Sequence, residues 1–156
     1  MKQIRRKDRE IAENEAIRLL VQGKYGILST SGSDGQPYGI PLSYVYKNNC
    51  IYFHCALSGH KLENIADNPN VSFCVVGKTN LLPFKFGNEY ESVVVFGVAS
   101  DVHGAERSKA LLLLLEKYSP GFIEQGKKYI EKKDKATTVM KITVKSLTGK
   151  RAQEKR

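Results

Sequence analysis

The chain has 156 residues, of which 41% are hydrophobic and 26% charged, with three cysteines and a formal net charge of +9. That length suits one domain, residues 1–156, able to bury its core without disulfides or a structural metal. An odd cysteine count in apolar surroundings (Cys50, Cys55, Cys74) speaks for buried thiols in a reducing compartment and against a disulfide framework.

The positive charge is concentrated at the ends. Five basic residues lie in residues 1–9 and eleven from Lys127 onward, while residues 10–126 carry nine Lys or Arg against twelve Asp or Glu. The body is therefore mildly acidic, with basic tails at 1–9 and 146–156. Aromatic residues do not interleave with these charges and no zinc-finger spacing occurs, so nucleic acid is not expected as a partner. No apolar run approaches the ~20 residues of a bilayer span. The charged opening MKQIRRKDRE has none of the apolar stretch of a signal peptide, and the expected location is the cytoplasm without membrane attachment.

In chain order, Asp8 is placed to cap a helix whose face is Ile11, Ala12, Ala16, Ile17, Leu19 and Leu20 and which ends at Gly23. Short β-rich runs follow at 25–30, 38–46, 50–55 and 71–76, separated by turn-like SGSDGQP and KNN. The 56–70 link is too long for a hairpin and predicts a short helix, with Ser58 as cap and Leu62, Ile65 and Ala66 on its buried side. A loop with Pro83, Phe84 and Phe86 leads to a long strand at 89–102, in which Gly97 marks a bulge or close approach. Helices at 107–118 and 122–133 and a strand at 137–144 complete the chain. Six or so strands with helices inserted at the ends of the sheet predict a mostly β fold: a small, mostly antiparallel barrel.

The stretch FHCALSGHKLEN, residues 53–64, runs from a strand end through a turn into a helix start. Unpaired N–H groups and the positive end of the helix dipole gather there, Gly59 admits a ligand to the backbone, and Lys61 adds a charge suited to phosphate. The alternative is an ordinary exposed helix start with a solvated lysine. His54 and His60 with Cys50 and Cys55 fit no zinc spacing, because strand alternation sends Cys50 and His54 to one face and Cys55 to the other. In YGIPLSYVY, Pro41 marks either an edge strand with a bulge or a site where Ser43 and Tyr44 turn toward a planar ligand.

Taken together, RRKDREI, YGILSTSGSDGQPYGIPLSYVY, IYFHCALSGHKLENI, VSFCVVG, ESVVVFGVA and the closing SLTGK resemble the pyridoxamine 5′-phosphate oxidase-like FMN-binding proteins, nearest the nitroimidazole-resistance group. The resemblance implies a six-stranded split β-barrel and a homodimer with FMN in the groove between subunits. It implies that the isoalloxazine ring lies against Leu28, Ser29, Thr30, Pro41, Leu42, Ser43 and Tyr44, and that the phosphate meets His60 and Lys61. His54 would stand beside the ring, and Glu91 and Ser92 would approach from the partner subunit. The implied activity is an oxidoreductase whose flavin reduces a small-molecule acceptor such as a nitroaromatic compound, with His60 or His54 giving the proton. The rival is a non-enzymatic holder of flavin or of haem on His54 or His60. The chain has no Trp and lacks the basic substrate-binding ending of the pyridoxamine-phosphate oxidases proper, which argues against oxidation of that vitamin.

Overall fold

The structure is a computed structural model that describes residues 4–153. Its strands are β1 (Glu10–Ile11), β2 (Gly26–Ser31), β3 (Pro37–Leu42), β4 (Val45–Lys47), β5 (Cys50–Cys55), β6 (Asn70–Leu82), β7 (Gly87–Asp101) and β8 (Thr138–Ala152). The helices are α1 (Glu13–Gln22), α2 (His60–Asp67), α3 (Gly104–Tyr118) and α4 (Ile123–Lys133). All strands belong to one antiparallel sheet of order β3-β2-β6-β7-β8-β5-β4, with β1 paired to β8. The sheet therefore has eight strands where six were expected: a two-residue β1 is added, and the run 38–46 divides into β3 and β4. Among the described residues, no helix is long and apolar enough to cross a membrane.

That division closes the sheet. β3 and β4 are consecutive in the chain but lie at opposite edges of the sheet, joined only by Ser43 and Tyr44. Two residues span only ~7 Å, so the edges must curl toward each other. Pro41 is tolerated because β3 is an edge strand. Tyr44 turns inward at the seam and is fully buried; its ring meets Phe73 edge-on at 4.8 Å and its hydroxyl donates to Leu20 O.

Strand alternation fills the barrel. Leu28, Ile51, Phe53, Phe73, Val75, Val93, Val95 and Ile142 point inward, and Ala16, Leu19 and Leu20 of α1 pack on the same cluster. A second layer forms outside, where Tyr52 and Val139 of β5 and β8 are covered by Ala110 and Leu111 of α3, with Ile130 of α4 packed alongside. The expected bulge lies at Gly97. Phe96 pairs with Ser146 but Gly97 with Val144, leaving Lys145 unpaired, and a Cβ on Gly97 would sit 2.5 Å from Thr143 O.

Several boundaries differ from the sequence reading, each for a local reason. Asp8 does not cap α1: it is ion-paired with Arg6, while Glu10 and Ile11 are drawn into pairing with β8. Ser58 does not cap α2, because Gly59 takes the cap position at φ 143°, ψ 165°. On α2 the buried residues are Asn64 and Ile65, and Ala66 is exposed. β6 runs on to Leu82 and β8 to Ala152, since each finds a continuing ladder on β7. Of the two expected tails, 1–3 and 154–156 lie outside the described residues. Within that range Ile4 is buried and 146–152 is strand.

Candidate functional site

Two expected site residues on β2 face the core. Leu28 is fully buried, and buried Thr30 accepts a hydrogen bond at Oγ1 from Asn64 Nδ2 (3.0 Å), which ties α2 to β2. Ser29 lies on the other face, opposite Gly39, whose missing side chain leaves the hydroxyl uncovered. At the seam, Pro41 and Ser43 are exposed and Leu42 is half-buried. Tyr44 is wholly buried, main chain as well as side chain. Leu28, Thr30 and Tyr44 thus present no side chain to a ligand on the outer surface, and contact there is left to Ser29, Pro41 and Ser43.

The start of α2 carries the other group. Gly59 has a backbone that side-chain-bearing residues rarely adopt, and beyond its own chain neighbours no atom lies within 4 Å of where its Cβ would be, so the helix start faces open space. His60 stacks on Tyr38 of β3, centroids 4.1 Å apart and planes 28° from parallel. Lys61, half-buried, makes no hydrogen bond or ion pair among the described residues. It lies close enough to Cys55 to favour the thiolate, but burial dominates and pushes the Cys55 thiol upward. His54, at the end of β5, has its pKa lowered by the packing around it and is neutral near pH 7.

Glu91 and Ser92 are elsewhere in the chain. Glu91 accepts hydrogen bonds from Arg151 Nε (3.3 Å) and from the Lys78 N–H (3.2 Å), and Arg151 also grips Glu15 at 2.8 Å. Arg151 and Val139, the partner of His54, lie near opposite ends of β8. One chain therefore does not bring Glu91 and Ser92 to His54.

A groove of about 990 Å³ opens between the end of β5, α3 and α4. Ser43, His54 and Cys55 line it beside β5; Leu111 and Leu114 lie at its floor, and Tyr118, Phe122 and Tyr129 line its walls. The sequence reading assigned no role to α3 or α4. Their apolar spacing identifies helices, but which face remains open depends on how they lie against β5.

Matching over residues 12–151 places the chain in the pyridoxamine 5′-phosphate oxidase family. A candidate 5-nitroimidazole antibiotic resistance protein from Bacteroides thetaiotaomicron is similar at 21% identity and TM-score 0.71, covering 93% of this chain and 90% of that one. An FAD-binding protein from Mesorhizobium loti is similar at 24% identity and TM-score 0.68, covering 93% and 98%. An FAD- and haem-binding protein from Mycobacterium smegmatis is similar at 15% identity and TM-score 0.79, covering 92% and 72%. At these identities the likeness is one of fold. No curated protein matches the sequence.

Proposed function

We propose that this protein is a homodimeric FMN-dependent oxidoreductase that reduces a small acceptor of the nitroaromatic class. The observation that carries the reading is the start of α2, where open backbone at Gly59, a Lys61 with no ion-pair partner among the described residues and the Tyr38–His60 stack meet. Free N–H groups, a positive helix end and an uncompensated ammonium fit a phosphate ester. Lys61 would neutralise the FMN phosphate there, and Ser29, Pro41 and Ser43 would border the ring. Bound flavin supplies the electron transfer; the chain supplies the rest.

Ser43 offers a hydroxyl at the ring edge. His54, with its pKa lowered, suits accepting a hydrogen bond more than giving up a proton, and His60, stacked on Tyr38 at the start of α2, is the proposed proton donor. Glu91 and Ser92 would reach the site only from a second copy. The outward residues Val76, Val94 and Phe96 give that copy an apolar face to pack on.

The absorption spectrum of the purified protein with added FMN tests this reading. Oxidised-flavin bands and nicotinamide-driven turnover of a nitroaromatic are expected. A Soret band would replace the proposal with a haem holder, and a colourless protein indifferent to FMN would remove it.

A further inference from the structure

The groove between β5, α3 and α4 is larger and less charged than a one-ring acceptor needs. Its volume of about 990 Å³ is at the top of the ~300–1,000 Å³ found for ligand pockets. Leu111 and Leu114 form a buried floor. Phe122 and Tyr129 stand on its walls with 64% of each residue exposed, leaving two aromatic faces in water.

The ionisable groups along the groove are largely neutralised. Arg107 is ion-paired with Asp134 and also donates to the carbonyls of Asp134 and Thr137, both at 3.1 Å. His54 has its pKa lowered and Cys55 has its pKa raised, so both are uncharged near pH 7. Lys133 remains, exposed to solvent where salt screens it. An anion entering the groove would lose water without gaining a buried countercharge. A neutral aromatic surface would cover Phe122, Tyr129 and the leucine floor, and its polar atoms could meet Ser43 and His54.

We infer that this groove binds neutral, fused-ring aromatic molecules carrying a hydrogen-bond acceptor, in preference both to one-ring analogues and to charged ones. The inference rests on the proposed flavin site only for the claim that the Ser43–His54 end adjoins the ring; the groove's own chemistry stands apart from it.

The test is titration calorimetry of the purified protein, with and without added FMN, using 1-nitronaphthalene, its 5-sulfonate and 2-methyl-5-nitroimidazole. Nitronaphthalene is expected to bind at least tenfold more tightly than either comparator. The double variant Phe122→Glu, Tyr129→Glu should weaken nitronaphthalene at least tenfold and leave FMN retention unchanged, because both side chains are exposed and on α4 or its approach. Equal affinity for the sulfonate would overturn the inference and assign control to Lys133. Unchanged binding by the double variant would overturn it as well. Nitronaphthalene binding by a protein that ignores FMN would sustain the groove and defeat the flavin proposal; FMN binding without nitronaphthalene binding would do the reverse.

Discussion

The Tyr118 hydroxyl closes over the main chain of Tyr44. It accepts the Tyr44 N–H at 2.9 Å and directs its proton toward Lys24 O (2.7 Å) and Tyr44 O (2.9 Å). Lys117 Nζ, 4.0 Å above the Tyr44 ring, adds a second bond to Tyr44 O at 2.9 Å. The end of α3 thus pins the link between the two sheet edges, where no strand ladder joins them, and fixes Ser43 at the rim of the groove.

Replacing Tyr118 by Phe removes that clamp without changing ring volume. The Tyr44 N–H loses its partner, and an orphaned polar group of this kind costs ~1–3 kcal/mol. Urea unfolding should show a loss of that size, with unchanged circular dichroism at zero denaturant. A midpoint equal to that of the unaltered protein would show that the seam holds without Tyr118.

Lys117 makes stability depend on pH in a definite direction. Burial lowers its pKa from an ordinary 10.5 to about 8, so below about 8 the amine is charged in both states and the folded protein bears the whole penalty. Between about 8 and 10.5 the folded chain has released a proton that the unfolded chain still holds, and folding gains. Urea midpoints of the unaltered protein and of Lys117→Met should therefore diverge in favour of lysine as pH rises from 7.5 to 9.5. The comparison cancels tyrosines and cysteines common to both; parallel curves would contradict the assignment.

Lys61→Glu should abolish FMN retention while the fold persists. A hydrogen bond to a charged group is worth ~1.5–3 kcal/mol, so loss of the ammonium alone weakens binding by roughly ten- to more than a hundredfold, and reversal by more. Glu suits the first turn of α2, next to the positive helix end. Riboflavin, which has no phosphate, serves as the control in fluorescence titrations, and its affinity should hardly move. Equal FMN affinity in the two proteins would take the phosphate away from Lys61.

Phe96→Glu tests the proposed dimer. Phe96 is 44% and Val76 58% exposed, on a face of β6 and β7 that also carries Val94, whereas Val93 and Val95 point into the core. A carboxylate in the middle of a face packed on its copy would be buried unpaired. Light scattering should show the unaltered protein at twice the 17.5 kDa chain mass and the variant at one, with FMN lost on dissociation. A monomeric unaltered protein that retains flavin would exclude a site shared between subunits.

The sequence alone determined the properties that depend on near neighbours. Period-two alternation located the strands, and Cys50–Cys55 was placed residue for residue. Gly97 signalled the bulge, because a missing side chain in an apolar strand marks close approach, and the turn before His60 signalled a helix start. Tertiary structure decided whatever depended on which strands pair. Two neighbouring residues, Ser43 and Tyr44, join opposite edges of the sheet, so a run that reads as one strand becomes two and Tyr44 leaves the surface for the core. Capping followed the same rule: Asp8 and Ser58 are good cap residues, but the pairing of Ile11 with Gly149 and the backbone of Gly59 set the helix starts. The groove lay furthest from the sequence. Its walls come from β5, α3 and α4, which are separated along the chain, and packing of α3 and α4 alone leaves Phe122 and Tyr129 facing open space.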